Sequence, residues 1–131
     1  MIVSENRSEN YLTHFTNGAY DAYADTTKEK GGMEQGFRPH ELLEAALACC
    51  MNMSLRINAQ KLSIPLEKVR VSVYLNREEP ENPTFEYDVA FDASVCDSDR
   101  QTLLDTLARS SVRSTLSKSF SFEQKAVNTS I

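Results

Sequence analysis

Two adjacent cysteines, Cys49 and Cys50, are the residues of this chain best suited to chemistry. The reactive form of a cysteine is the thiolate, and a polar or positively charged neighbourhood favours it by lowering the pKa of the thiol. Free cysteine is also among the most frequently buried residue types, so simple packing is the competing interpretation for both thiols. Because successive residues of a helix lie about 100° apart, the two thiols face different directions and are poorly placed to bond to each other.

The stretch from Phe37 to Lys61 predicts the helix that carries these cysteines. Pro39 suits a first helical turn, and the residues after it are mostly strong helix formers. From Leu42 to Met51 every residue except Glu44 is apolar or a thiol, which predicts a buried first half and a second half that emerges into solvent. Glu44 and the other charges in the stretch exclude a membrane span, which needs about 20 nearly uncharged residues.

The surroundings of Cys50 on this helix are predicted to be apolar. On one helical face it is accompanied by Leu43, Leu47, Ser54 and Ile57. Apolar surroundings raise the pKa of a thiol. A reactive Cys50 therefore requires a charge from another part of the molecule.

His40 and Cys96 are two further candidates. His40 is predicted to lie about 15 Å from Cys50 along a straight helix, which favours a capping or surface role. Cys96 comes just before a second predicted helix, and a helix N-terminus favours a thiolate. A half-buried thiol in a loop is the simpler interpretation of Cys96.

The composition argues against several classes of function. With 14 basic and 19 acidic residues the net charge is -5, and no cluster of Lys or Arg is present, which argues against binding to nucleic acid or to a membrane surface. Neither His14 nor His40 has a Cys or a second His at ligand spacing, so no metal is expected. No phosphate-binding glycine loop points to a cofactor. The first residues resemble no export signal, so a cytoplasmic location is expected.

The N-terminal and central parts of the chain predict two β-hairpins. Asn17-Gly18 is a favoured turn dipeptide and predicts a hairpin between Tyr11 and Asp25, followed by a polar loop from Thr26 to Gly36. The stretches Val69 to Leu75 and Phe85 to Phe91 alternate apolar and polar residues. They predict a second hairpin that packs one face against the long helix.

The remaining residues predict helix followed by strand. Asp97 or Ser98 is expected to cap a helix from Asp99 onward. A further short turn of helix is expected from Val112 to Leu116. Ser119 to Val127 alternates and predicts an edge strand. The fold class is therefore α+β, with antiparallel sheets packed around a long central helix in a single domain of residues 1–131. The N-terminal hairpin has little to bury against, which favours an interlocked dimer.

The stretch Phe37–Leu55, which contains Pro-His-Glu-Leu, small residues and then Cys49-Cys50, resembles the signature of the OsmC family of osmotically inducible and organic hydroperoxide resistance proteins. The resemblance implies an OsmC-like fold in an intertwined homodimer with two interfacial sites. It also implies a thiol peroxidase of the oxidative stress response. In such proteins a cysteine that matches Cys50 attacks an organic hydroperoxide and then forms a disulfide with a second cysteine, assisted by an Arg and a Glu.

The chain departs from this family pattern at two positions. The second cysteine corresponds to Ser110, whose hydroxyl cannot form a disulfide. The usual Glu corresponds to His40, with Glu41 one position later. The Arg comes from the N-terminal region and is matched to Arg7, with Arg38 and Arg113 as alternatives.

The sequence thus predicts an OsmC-like redox protein with the candidate catalytic residues Cys50, Arg7, Glu41 and His40. As a one-Cys peroxidase it would reduce small organic hydroperoxides, and oxidised Cys50 would be restored by Cys96, by an external thiol reductant or by a protein partner. The alternative is a non-catalytic OsmC-like protein that binds a small hydrophobic ligand in the cavity of the dimer interface. In that case the thiols only pack against neighbouring side chains and do not react.

Overall fold

A helix of 23 residues, α1, runs from Pro39 to Lys61 and carries both adjacent cysteines. A computed structural model describes the chain at residues 1–127 and 130. The helix begins as predicted, because proline in the first turn sacrifices no hydrogen bond, and it ends ahead of Pro65, which cannot continue a helix. Within the part of the chain described, no helix combines the length and the apolarity needed to cross a bilayer.

One stripe of α1 is buried along most of its length. Its members recur at every fourth position and are Leu47, Met51, Leu55 and Ala59. The predicted burial of the whole first half is wrong for this chain, since Leu43 is 43% exposed and Cys49 is exposed. The reason is that the strands and helices packed against α1 cover only one of its sides, and residues off that stripe face outward.

The first sheet is antiparallel and consists of β1 (Val3–Asn6), β2 (Thr13–Thr16) and β3 (Asp21–Ala24), in that order. β2 and β3 form the hairpin predicted around Asn17-Gly18, where Gly18 takes a positive φ of 98°. The sequence does not predict β1, because all four of its residues are exposed and no apolar alternation marks it. Beyond a bridge between Ala24 and Phe37, the sheet makes few contacts with the other helices and strands.

The second sheet is the predicted antiparallel hairpin of β4 (Val69–Asn76) and β5 (Thr84–Phe91), which packs against α1. Two side chains of α1 form hydrogen bonds with the backbone of β4, one near each end of that strand. The Glu44 carboxylate accepts the backbone N–H of Leu75 at 2.8 Å, and the Asn52 amide donates to the carbonyl of Val69 at 3.1 Å. Glu44, the one charge in the apolar run, is thereby satisfied by a hydrogen bond.

A second helix, α2 (Asp97–Thr106), leads through a 3₁₀ turn (Leu107–Arg109) into a short third helix, α3 (Ser111–Leu116). The short helical turn expected near Val112 is confirmed by α3. The prediction that Asp97 or Ser98 caps α2 is wrong, because Cys96 occupies that position without a side-chain cap.

The first turn of α2 is closed by the backbone. The N–H of Arg100 donates to the carbonyl of Cys96 at 3.0 Å. The helix therefore begins at Asp97 and not at Asp99.

The edge strand expected from Ser119 to Val127 does not form, and these residues have no regular secondary structure. Phe120 is 56% exposed and Phe122 is 95% exposed. A strand needs a neighbour to complete its hydrogen bonds, and none of the described strands pairs with this segment.

The loop between β3 and α1 is organised by the buried carboxylate of Asp25, which is 3% exposed. It accepts backbone N–H groups from Thr26, Met33 and Gln35 at 2.7, 3.2 and 3.1 Å. These bonds, with that of Gln35 foremost, hold the pKa of Asp25 below its usual value. The predicted loop thus has a defined path, which includes a 3₁₀ turn at Lys28–Lys30.

Candidate functional site

The sulfur of Cys50 faces the start of α3. Cys50 Sγ lies 3.1 Å from the hydroxyl of Ser110 and 3.5 Å from the hydroxyl of Ser111, and the N–H of Val112 donates to it at 3.5 Å. Ser110 is only 2% exposed, and its hydroxyl contacts this sulfur. The fold thus brings together a cysteine and a serine that are 60 residues apart in sequence.

These contacts favour the thiolate of Cys50. Burial by itself raises the pKa of the Cys50 thiol, but hydrogen bonds from the Ser110 and Ser111 hydroxyls and from the backbone N–H groups of Val112 and Ser111 together lower it below its usual value. The expectation that only an outside charge would lower this pKa is therefore wrong. Neutral donors do so, and the predicted apolar neighbours Leu43 and Ile57 are themselves exposed.

The position of Ser110 follows from the packing of the turn before it. Leu107 is 1% exposed and lies in the hydrophobic core with Leu103 and Met51. Its carbonyl accepts the N–H of Ser110 at 3.0 Å. Ser110 then adopts an extended backbone (φ −57°, ψ 132°), which turns the chain into α3 and presents the hydroxyl to Cys50.

An open cleft of about 610 Å³ lies beside Cys50, between α1 and the segment that joins α2 to α3. This volume is typical of a small-molecule site. Its lining is partly apolar and partly polar, and includes two cations but no aspartate or glutamate among the described residues. The lining residues are Ala46, Cys49, Cys50, Met53, Ser54, Ile57, Asn58, Lys61, Thr106, Arg109, Ser110 and Ser111.

The other two cysteines are placed differently. Cys49 is exposed and lines the same cleft as Cys50, one residue away on α1. Cys96 is exposed at the start of α2, where its sulfur lies 3.4 Å from the hydroxyl of Ser98, and it does not line the cleft. All three cysteines are free.

His40 and Glu41 line a different cleft of about 420 Å³ at the N-terminal end of α1. His40 is exposed there. Glu41 forms an ion pair with Arg38, which raises the pKa of the Arg38 guanidinium. Neither residue lines the cleft beside Cys50.

The candidate arginines also lie outside the cleft beside Cys50. Arg7 follows β1, and its guanidinium carbon lies 6.0 Å from the ring centroid of Tyr23. Arg113 lies 5.9 Å from the ring centroid of Tyr87. The structure therefore groups Cys50 with Ser110 and leaves the matched Arg and Glu positions on other surfaces.

Four residues of the site carry no motif that marks them in the sequence: Ser111, Val112, Lys61 and Arg109. Ser111 and Val112 directly follow Ser110, the position that the resemblance matches to the cysteine that forms a disulfide with the first one. Their position next to Ser110 could therefore have suggested that they lie near Cys50. The two cations are ordinary surface residues in sequence. Only the packing of α1 beside the 3₁₀ turn places both at one cleft.

Replacing Ser110 with alanine is expected to raise the pKa of the Cys50 thiol, because the shortest hydrogen bond to the sulfur is lost. In the wild type the lowered pKa keeps Cys50 ionised at lower pH. The pH profile of alkylation at Cys50 should therefore move to higher pH in Ser110→Ala. At neutral pH the alkylation rate should fall severalfold. The rate is measured with iodoacetamide and peptide mass spectrometry.

Ser114→Ala is the matched control, since Ser114 lies one turn further along α3. Its alkylation profile should coincide with that of the wild type. Equal profiles for Ser110→Ala and wild type would show that the hydroxyl has no influence on the thiol.

The family model for OsmC-like protein matches residues 31–128. No curated protein sequence matches the chain.

Solved structures share its fold. An organic hydroperoxide resistance protein OsmC from Legionella pneumophila has a TM-score of 0.66 and 16% identity, and the match covers 88% of this chain and 87% of that one. OhrB of Bacillus subtilis has a TM-score of 0.63 and 16% identity, with 88% and 87% covered. A putative organic hydroperoxide resistance protein from Vibrio cholerae, with captopril in one of its active sites, has a TM-score of 0.62 and 14% identity, with 88% and 83% covered.

Proposed function

Because this chain belongs to the OsmC-like protein family, we propose that it reduces small organic hydroperoxides with Cys50 as its one reactive thiol, in the response to oxidative stress. The observation that carries the proposal is the contact of Cys50 Sγ with Ser110 at 3.1 Å, one of several hydrogen bonds that lower the pKa of this thiol. A thiolate at the wall of an open cleft is accessible to a small oxidant.

The first step is attack of the Cys50 thiolate on the terminal oxygen of the hydroperoxide. The O–O bond breaks, the sulfur becomes a sulfenic acid, and the departing alkoxide takes a proton to leave as an alcohol. Ser110 and Ser111 stabilise the thiolate before attack by donating their hydroxyl hydrogens. Water can supply the proton, because the cleft is open.

An external thiol completes the cycle. Ser110, next to Cys50, has no sulfur to offer, and Cys96 does not line the cleft. Cys49 is adjacent on α1 and faces a direction about 100° away. Three free cysteines suit a reducing, cytoplasmic compartment in which such thiols are available.

We further propose that the protein acts as a homodimer. All four residues of β1 are exposed, and the sheet that contains it makes few contacts with the other helices and strands of its own chain. Docking of this sheet on a second protomer would bury it and would carry Arg7 toward the site of that protomer. The interface would likewise decide whether His40 and Glu41 approach a Cys50.

Sedimentation velocity measures the mass of the assembly and so tests for a dimer. Arg7→Ala should lower hydroperoxide turnover while this mass stays unchanged.

A second function, binding of a small hydrophobic ligand, is favoured by the exposed apolar side chains of the cleft. Met53 and Ile57 line it and are 54% and 52% exposed. The Vibrio cholerae protein described above holds captopril in one of its active sites. In this alternative Cys50 packs beside the ligand and undergoes no reaction.

The two functions are separated by the turnover of cumene hydroperoxide with dithiothreitol as reductant. We expect Cys50→Ser to abolish turnover, a loss of at least about a thousandfold, because the hydroxyl that replaces the thiol is far less nucleophilic at neutral pH. The assay follows loss of the hydroperoxide.

Cys96→Ser and Cys49→Ser are the matched controls and should retain turnover, as neither thiol is expected to resolve the sulfenic acid. If wild type and Cys50→Ser both lack turnover while the wild-type thiol titrates at the usual pKa, ligand binding is the better assignment. Loss of turnover in Cys96→Ser would instead identify Cys96 as the resolving thiol.

A further inference from the structure

The nitrogen of a backbone amide lies against the reactive sulfur. The N–H of Val112 donates to Cys50 Sγ at 3.5 Å, and the N–H of Ser111 also helps to lower the pKa of this thiol. At the start of α3, the N–H of Ser114 donates to the carbonyl of Ser110 at 2.9 Å. The N–H of Val112 therefore precedes the hydrogen-bond ladder of the helix, and a bond from this nitrogen to the sulfur would break no helical hydrogen bond.

We propose that the sulfenic acid of Cys50 condenses with the backbone nitrogen of Val112 to form a sulfenamide, a reversible covalent link between α1 and α3. The proposal rests on the proposed hydroperoxide reduction, which supplies the sulfenic acid. A sulfenic acid condenses either with a thiol or with a backbone nitrogen. Here the adjacent side chain is the hydroxyl of Ser110, Cys96 does not line the cleft, and Cys49 faces a direction about 100° away. The amide is the group left in contact with the sulfur.

The condensation balances without a further oxidant. The amide nitrogen attacks the sulfur and forms an S–N bond, while the sulfenic hydroxyl and the amide proton leave together as water. In the thiol state the N–H of Val112 points at the sulfur, so the peptide group must rotate to turn its nitrogen toward that atom. The Val112 side chain is only partly buried where it packs against the core, which leaves room for this rotation.

The link keeps oxidised Cys50 recoverable. A second hydroperoxide would convert a free sulfenic acid to a sulfinic acid, which thiols do not reduce, whereas the sulfenamide is reversible. An external thiolate attacks the sulfur, the S–N bond breaks, and the nitrogen takes back a proton. A second thiol then attacks the resulting mixed disulfide and displaces Cys50 as a thiolate, and the two thiols leave as a disulfide. The sulfenamide should therefore accumulate when hydroperoxide is plentiful and external thiol is scarce.

The test uses Cys49→Ser/Cys96→Ser protein, in which Cys50 is the one remaining thiol and no internal disulfide can form. One equivalent of cumene hydroperoxide is added without any thiol, and the intact mass is followed. Sulfenic acid appears as one added oxygen, and the sulfenamide as the loss of two hydrogens from the reduced mass. A disulfide between two chains would double the mass and is thereby distinguished. Dithiothreitol should restore the reduced mass.

Digestion with trypsin locates the link. Cleavage after lysine and arginine places Cys50 in peptide 31–56 and Val112 in peptide 110–113, so the sulfenamide joins these two peptides. Fragmentation of the short peptide then assigns the S–N bond to one nitrogen, which we expect to be that of Val112. A bond to the nitrogen of Ser111, or a lasting sulfenic acid that dimedone traps with no joined peptide, overturns the proposal.

Val112→Pro, made in the same protein, removes the reacting N–H and should abolish the loss of two hydrogens. Proline is tolerated in the first turn of a helix. With excess hydroperoxide this variant should form a severalfold larger share of sulfinic acid, because the sulfenic acid is no longer protected.

Ser111→Pro is the matched control, since it removes the adjacent N–H and should still form the link. Ser110 already has the extended backbone that a following proline requires. Retention of the link in Val112→Pro, or its loss in Ser111→Pro, contradicts the proposal. The peptide mapping uses a chain with an unaltered α3, so it decides the question even where a proline variant fails to fold.

Hydrogen peroxide separates this inference from the proposed function. It oxidises a thiolate to a sulfenic acid without any organic group to bind. A link that forms with hydrogen peroxide, in a protein that cumene hydroperoxide leaves unoxidised, supports the sulfenamide and contradicts the proposed function. A sulfenic acid that both oxidants produce and that never loses water contradicts the sulfenamide alone.

Discussion

Ser110→Cys is expected to convert oxidation of Cys50 into formation of an internal disulfide. The two side-chain atoms lie 3.1 Å apart in the structure, and a disulfide needs about 2.05 Å, so a small shift brings the two sulfurs into bond. Intramolecular attack has an effective concentration of about 10⁵ M or more when the geometry is favourable. The sulfenic acid of Cys50 should therefore disappear at least about a hundredfold faster than with millimolar external thiol.

The measurement is the lifetime of the sulfenic acid, trapped with dimedone at successive times after one equivalent of cumene hydroperoxide. The intact mass of Ser110→Cys should then show the loss of two hydrogens. Ser114→Cys adds a thiol one turn further along α3 and should leave the lifetime near that of the wild type. A long-lived sulfenic acid in Ser110→Cys would contradict the contact between the two side chains.

Leu107→Ala should impair both the stability of the protein and the reactivity of Cys50. Leu107 is 1% exposed in the core, and truncation of such a side chain costs about 3 kcal/mol. The turn that it anchors also positions Ser110, so the hydrogen bond to the sulfur should weaken and the pKa of the thiol should rise. Urea unfolding measures the first effect, and alkylation of Cys50 at neutral pH the second.

Leu103→Ala is the control that separates these effects. Leu103 is fully buried in the same core but lies one helical turn before Leu107, within α2. It should cost a similar free energy of unfolding and leave alkylation of Cys50 closer to that of wild type. Equal slowing in both variants would attribute the effect to general loosening of the core.

The fold could be predicted where the pattern is local. Proline at the start of α1, alternation in β4 and β5, and Asn17-Gly18 in the first hairpin each specify an element through short-range preferences. The failures depend on packing. The four residues of β1 are all exposed and show no apolar alternation that would predict a strand. The alternation in Ser119–Val127 predicted a strand, but none of the described strands lies beside it to pair with it.

The site was predicted in part. The resemblance identified Cys50 and matched Ser110 to the second cysteine, and the fold places these two in contact. The predicted direction of the pKa shift of Cys50 was wrong because it was judged from the helical face of Cys50 alone, while the donors are Ser110 and the first residues of α3. The roles of Arg7, His40 and Glu41 stay predictions, since none of the three lines the cleft beside Cys50.

The shortness of α3 has a consequence for the acidity of Cys50. Glu44 and Asn52 hold α1 to both ends of β4, so the sulfur itself has a fixed position. Of the donors opposite, Ser111 and Val112 belong to a six-residue helix with no buried side chain of its own, a kind of segment that opens locally well before global unfolding. Each such fluctuation withdraws these two donors, so the thiol should become a weaker acid on gentle warming while the core is still intact.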